Sequence, residues 1–320
     1  MPHKLTITTH DLDPRLSQRL LKFKQEAVGA YAPNTLKAWQ QDSAVFAEFC
    51  LLRNVRSLPA TPEVVAAFIK HLANTKKSAT IRRVVASITK LHEAAGVDNP
   101  CSTSTVKHTL REVHRKKGRA QDQVDPLNWA HIDHALQVIP NDSLRQVLDK
   151  AMVLVAYDGL LRPEEITRIE RSDFTFNRDD SGTLFIAKSK GDQEGRGAEV
   201  YLSKSTVRHV DAWLSMAGIE SGPVFRPVMK SGEMGEKVIS TKGVSRAFKR
   251  IALAAGMDDT KVSGHSCRIG AAQDLHEQGM SLLEVQTGGR WKSSEMPALY
   301  TRRLAAAKGG MAKLAEIQGR

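Results

Sequence analysis

The sequence predicts a mainly α protein of two domains with one small β element, on three observations. Apolar residues recur at helical spacing, behind recognisable caps, through most of the 320 residues. Two β-rich runs, 183–187 and 199–202, flank a glycine-bearing connector in the second half. Between the helical regions lies a charged, aperiodic stretch, 117–126, closed by Pro126. The domains are therefore drawn as 1–118 and 127–320, with a linker over 119–126.

The elements follow in order. A polar lead-in gives way to a helix over 15–28, with Leu16, Leu20, Leu21 and Ala27 as its apolar positions. Asn34 is read as the cap of a second helix, carrying Leu36, Trp39, Val45, Phe46 and Phe49. Thr61-Pro62-Glu63 supplies a cap and then proline at the first helical position, leading into Val64, Val65, Phe68, Ile69 and Leu72. Ser78 opens a fourth helix, with Ile81, Val84, Val85, Ile88 and Leu91, which closes at Gly96; 105–117 is a fifth. This half carries no strand pattern and reads as a bundle of short helices.

Helical pattern resumes near Leu127. A long apolar helix over 144–160 breaks at Asp158-Gly159, and a new one begins at Pro163. After the two strands, helices are expected from Ser205, from Thr241 (Val244, Phe248, Ile251, Leu253) and near His265, with Ser263 or Gly264 as the cap of the last. A final helix carries Tyr300. A short tail beyond Gly309-Gly310 puts Met311, Leu314, Ala315 and Ile317 on one stripe.

Composition narrows the function. A net charge of +12 points to a polyanionic partner, nucleic acid before membrane. Hydrophobic content of 41% excludes a disordered basic tail, and 5% aromatics disfavours a single-strand binder built on stacking. Cys50, Cys101 and Cys267 are too few and too scattered for a disulfide framework or a zinc site, which suits a reducing cytoplasm; Cys267 reads as inert packing. The first 13 residues lack a signal-peptide layout, and no apolar run is long enough to span a bilayer, so no membrane role is expected. Neither a nucleotide-binding glycine motif nor a tight Asp/Glu/His cluster is present, so neither cofactor nor metal is expected.

Several helices carry basic residues opposite their apolar stripe: Arg82 and Arg83 beside Thr80, and Arg111, Arg115, Lys116 and Lys117. Any one of them is simplest as part of a solvated face. The clustering, with the net charge, tilts the set towards phosphate. The stretch Ser263-Gly264-His265-Ser266-Cys267-Arg268-Ile269-Gly270 puts His265 and Arg268 three apart at a helix start, where free N–H groups and the dipole favour an anion. From the residues alone, Tyr300 also fits an ordinary amphipathic helix, Trp291 a core position and Glu165 a helix cap. Lys188 and Lys190, two apart, project to one face of a strand.

Five ordered pieces are to be read together: Gly159-Leu160-Leu161-Arg162-Pro163-Glu164-Glu165-Ile166, the Lys190 hairpin, the His265–Arg268 stretch, Gly288-Gly289-Arg290-Trp291, and Tyr300 nine residues beyond Trp291. In this order they resemble the tyrosine recombinase (phage integrase) family, and within it the Cre-like members. The resemblance implies an N-terminal helical core-binding (SAM-like) domain and a C-terminal catalytic domain, forming a C-shaped clamp on duplex DNA. It implies Arg162, His265, Arg268 and Trp291 on the oxygens of the scissile phosphate, and Glu165 orienting these donors. Lys190 becomes the general acid and Tyr300 the nucleophile of a 3′-phosphotyrosyl intermediate. The positive charge of two arginines then serves in place of a metal ion.

The resemblance further implies two inverted arms flanking a spacer, a dimer per site and a homotetramer in synapsis, the tail docking on a neighbouring protomer. The setting is the cytoplasm of a bacterium, or a phage or plasmid borne there. The helix from Thr241, with Lys242, Arg246, Lys249 and Arg250 at helical spacing, is expected in the major groove. Lys242 stands where Cre-like members carry a guanine-reading Arg, so a different target sequence is expected. Arg290 is a departure, since Cre-like glycines run straight into the Trp, and an extra residue there re-aims a side chain. The rivals are a type IB topoisomerase, which shares the phosphotyrosyl chemistry, and a non-catalytic DNA-binding regulator, against which the complete residue set argues.

Overall fold

The computed structural model describes residues 13–118, 123–189, 195–308 and 310–320, leaving aside the side chains of 303–308 and 313. The chain divides into two compact units, Met1–Asp122 and Gln123–Arg320.

The first unit is built from α1 (Pro14–Ala27), α2 (Pro33–Leu51), α3 (Pro62–Ala73), α4 (Ser78–Ala95) and α5 (Ser104–Lys117). Most starts follow the local chemistry. Asp13 accepts from the Arg15 N–H ahead of Pro14, and Thr61 caps Val64 N–H ahead of Pro62. The α2 start corrects the sequence expectation. Pro33, with its preset φ, takes the first helical position, so Ala32 is the cap and Asn34 lies inside the helix. Gly96 closes α4 in the left-handed conformation, with φ of 66°. The apolar stripes meet in a core of Phe46, Phe49, Phe68, Ile69, Ile81, Ile88 and Val106. In it the Phe68 ring lies 5.0 Å from Phe46 and 4.8 Å from Phe49.

The second unit holds α6 (Trp129–Val138), α7 (Leu144–Asp158), α8 (Pro163–Ile166), β1 (Phe174–Phe176), β2 (Gly182–Ile186), β3 (Ala198–Leu202) and α9 (Lys204–Ala217). It continues with α10 (Thr241–Ala254), α11 (Ser266–Glu277), α12 (Leu282–Gly288), α13 (Glu295–Lys308) and α14 (Gly310–Ile317). Helix α7 is the central post: every residue from Val147 to Ala156 is buried, and α6, α9, α10 and α11 pack around it. Its two buried charges have partners. Lys150 donates to the Leu136 and Ile139 carbonyls and to Asn141, stitching α7 to the end of α6. Asp149 accepts from Nε and Nη2 of Arg250 at 2.6 and 2.7 Å. Burial nevertheless holds the Asp149 carboxyl above its usual range, the Arg250 charge and hydrogen bonds offsetting only part of that.

Two elements escaped the sequence reading. Strand β1 joins the expected pair to make an antiparallel sheet in the order β1-β2-β3, with Phe174 opposite Leu184 and Leu184 opposite Val200. At three residues it is too short for alternation to register. Helix α12 is also short, but Ser281 and Glu284 form a reciprocal capping box, a signal present in the sequence. At the start of α11 the cap position is His265 itself, rather than Ser263 or Gly264. Ser263 instead turns the chain into the helix, its hydroxyl accepting from the His265 N–H and its own N–H donating to Ser266.

Candidate active site

The centre of the second unit is assembled from three corners. The first follows α7. Gly159 ends that helix and Leu160 takes a left-handed turn, with φ of 46°, which carries the chain to Arg162 at the cap position of α8. Proline next to it preorganises the first turn, so Glu165 reaches back. Its carboxylate accepts from the Arg162 N–H at 3.0 Å and from Arg162 Nη1 at 2.8 Å. Glu165 is thus both the helix cap and the holder of the Arg162 guanidinium. Burial, at 3% exposure, pushes its carboxyl up, but the Arg162 N–H and the Arg290 and Arg162 charges more than offset this and hold it below the usual range.

The second corner is α11. Gly264 stands so close to Pro163 and Ser245 that a Cβ would collide with the proline ring, which brings the α11 start up against α8. Gly270 has the backbone of Leu127 against it and no room for a Cβ either. Between these glycines Arg268 points inward, 1% exposed. Its Nη1 donates to the Leu160 carbonyl and its Nη2 to the Gly289 carbonyl. Its guanidinium carbon lies 4.2 Å from the centre of the Trp291 ring. Burial, with Arg162 adding to it, pulls Arg268 down to about 9, so it remains charged at neutral pH. Cys267 beside it is fully buried, its thiol pushed far up by burial, as expected of inert packing.

The third corner joins α12 to α13. The α12 end closes with Arg290 N–H on the Thr287 carbonyl and Trp291 N–H on the Gln286 carbonyl. Trp291 then packs with Leu160, Ala271, Ala272 and Val285. Tyr300 meets it edge-on at 5.7 Å between ring centres. The Tyr300 phenol is pushed up by burial, while Arg268 and Arg162 pull it back. Two arginines from different corners therefore act on one tyrosine from a third. Arg290, which the sequence reading left without a role, sends Nη1 to the Gly159 carbonyl at 2.8 Å and Nη2 to Glu165 at 2.9 Å.

Residues 127–306 match the phage integrase family. An integrase/recombinase xerD homolog of Selenomonas ruminantium is 30% identical over 289 residues, 88% of this chain and 84% of the relative. The chain belongs to the phage integrase family. The recombinase cre of Escherichia phage P1 is 27% identical over 307 residues, 90% of this chain and 89% of that one. The Tn1549 transposon integrase, solved in complex with transposon right end DNA, shares the fold with a TM-score of 0.63 at 12% identity, over 89% of this chain and 94% of that chain.

In this phage integrase family chain, Arg162, Glu165, Arg268, Trp291 and Tyr300 form one cluster, while His265 stands exposed at the α11 start. Lys190 lies outside the described residues; Lys188, on the approach to it, is exposed. The basic rows divide. Lys242 and Arg246 are exposed on α10, whereas Lys249 donates to the Asp259 carbonyl at 2.7 Å. Arg250 is also committed within the protein: its guanidinium turns onto Asp149, a buried carboxylate inside α7 that needs a counterion. On α4, Arg82 is exposed and Thr80 half-buried, while Arg83 is paired with Asp42 at 2.6 Å. No helix of the described residues is long and apolar enough to cross a membrane. Nor is any group of three or more of their His, Cys, Asp or Glu side chains placed to hold a metal ion.

Proposed function

We propose that this protein is a site-specific DNA recombinase that cuts and rejoins duplex DNA through a 3′-phosphotyrosyl intermediate. The observation that carries the reading is Arg268 over the Trp291 ring and Trp291 edge-on to Tyr300, with Arg162 also acting on that phenol. A phosphodiester in this corner receives charge that is present at neutral pH and donors of fixed direction. Arg268 has five N–H donors; two go to carbonyls, and the others are the proposed donors to phosphate oxygens. Arg162, held by Glu165, supplies the second guanidinium, and His265 and the Trp291 N–H complete the donor set.

Tyr300 Oη attacks phosphorus and gives up its proton to water; the bond from phosphorus to the 5′ oxygen breaks, and that oxygen takes a proton from Lys190. Rejoining is the reverse, with a 5′ hydroxyl as nucleophile, so the phosphodiester energy is kept. The two cationic arginines favour the phenolate, while burial favours the neutral phenol. The xerD homolog and the P1 recombinase support the strand-exchange reading. The assembly proposed is a dimer on two inverted arms and a tetramer on two sites. Lys242 and Arg246 are the proposed base-contacting pair of α10, with Thr80 and Arg82 on backbone phosphates.

The test begins by selecting bound duplexes from a random library, then presents the selected site with a nick that traps cleavage. Wild-type protein should form a covalent adduct, while Tyr300→Phe should bind with the same affinity and form none. An adduct in Tyr300→Phe would move the nucleophile elsewhere and sink the proposal.

A further inference from the structure

Arg290 occupies a position that is costly in three ways. Its φ of 54° is left-handed, the conformation in which helix ends favour glycine because a Cβ crowds the backbone. Its guanidinium is buried, the side chain 12% exposed. Its Nε is buried without a partner. A glycine would relieve all three and would end α12 at least as well. Strain of this kind is kept where the surrounding structure uses it.

The use is visible in what Arg290 joins. Nη1 holds the carbonyl of Gly159, and Nη2 holds the free side of the Glu165 carboxylate. Each end of this link is next in sequence to a group that touches Arg268. Leu160, which follows Gly159, gives its carbonyl to Arg268 Nη1, and Gly289, which precedes Arg290, gives its carbonyl to Nη2. Trp291, which follows Arg290, carries the ring under the same guanidinium. The Arg290 side chain is therefore a cross-brace between the two backbone corners that Arg268 bridges, and it also braces the carboxylate that holds Arg162.

We propose that Arg290 is a positioning residue for cleavage, setting the distance between the Leu160 and Gly289 carbonyls and the direction of Glu165, so that Arg162 and Arg268 present their donors to one phosphate. This rests on the proposed roles of Arg162, Arg268 and Tyr300. It gives Arg290 no contact with DNA. Removing the brace should displace both guanidiniums slightly while leaving the DNA-binding surface alone. A misplacement of about 1 Å is worth roughly a hundredfold in rate.

The decisive variant is Arg290→Gly, which suits the left-handed turn. Single-turnover adduct formation on the nicked site should fall about a hundredfold, with duplex Kd close to wild type, and millimolar guanidinium should restore part of the rate. Arg290→Lys keeps a cation facing Glu165 but lacks the fork that reaches Gly159 as well. It should cleave at least tenfold slower than wild type at unchanged Kd, and it decides the matter if the glycine variant does not fold. Cleavage by a folded Arg290→Gly, or by Arg290→Lys, within threefold of wild type would reduce Arg290 to a turn residue. Tyr300→Phe runs in the same gels: an adduct there removes the phosphotyrosyl reading itself. A silent Tyr300→Phe beside fast-cleaving Arg290 variants removes the brace alone.

Discussion

Glu165→Gln puts the charge balance of the site to a direct thermodynamic test. The carboxylate is 3% exposed and accepts from the Arg162 N–H, Arg162 Nη1 and Arg290 Nη2. A glutamine has the same shape but only one accepting oxygen, so its NH₂ must face a guanidinium or a backbone N–H. The two paired guanidiniums, 15% and 12% exposed, also lose their buried counterion. Breaking a buried pair costs about 3–5 kcal/mol, and the glutamine oxygen still accepts on one side, so we expect about 3 kcal/mol. At roughly 2–4 °C per kcal/mol, the melting point of the second unit falls by about 6–12 °C. Trp129, Trp213 and Trp291 all lie in that unit, so tryptophan emission on heating reports it.

The pH dependence is signed. The native carboxyl lies below its unfolded value, so its stabilisation is fully present above the ordinary glutamate pKa of about 4.3 and is lost as the pH falls through the depressed native value. The gap between wild type and Glu165→Gln should therefore be full at pH 7 and close on acidification. A variant melting within about 2 °C of wild type at pH 7, or a gap that widens towards acid, would refute this account of Glu165 as the counterion.

Lys190→Ala should slow cleavage of an ordinary phosphodiester but scarcely affect a site with sulfur at the 5′-bridging position, since a thiolate leaves without a proton; equal slowing on both would transfer the acid role to Lys188. Arg250→Ala should leave the Asp149 carboxylate buried without its counterion and cost about 3 kcal/mol in urea unfolding, whereas an unchanged urea midpoint would remove the pair from the account of α7. The α14 residues Met311 and Ile317 are 69% and 83% exposed, an apolar face that a neighbouring protomer would cover. Deleting 311–320 should leave binding to one arm intact, weaken cooperative binding to paired arms and abolish recombination. Unimpaired recombination by the truncated protein, scored on paired sites, would refute docking in trans.

Much of the fold was legible because its signals are local. Thr61-Pro62, Ser78 to Gly96 and the β2–β3 alternation act over a few residues, and the structure places elements there. Where local chemistry offered two solutions, the helix starts a residue or two from the expected position. Pro33 displaced Asn34 as the start of α2, and His265 took the cap position expected of Ser263 or Gly264. Strand β1 is stabilised by its pairing with β2 rather than by any pattern of its own.

The sequence by itself determined which chemical groups are present and in what order: Arg162, Glu165, the hairpin lysines, His265, Arg268, Trp291 and Tyr300 are identifiable without coordinates. It could not determine which cations are already committed inside the protein. A guanidinium's role depends on the nearest unsatisfied carboxylate or carbonyl, often more than a hundred residues away along the chain. Asp149 pairs with Arg250 from a row of basic residues it matches by spacing, and Glu165 with Gly159 gives Arg290 a place that no motif announces. Burial decides these pairings, because a charge removed from water must find its partner wherever the fold has put one.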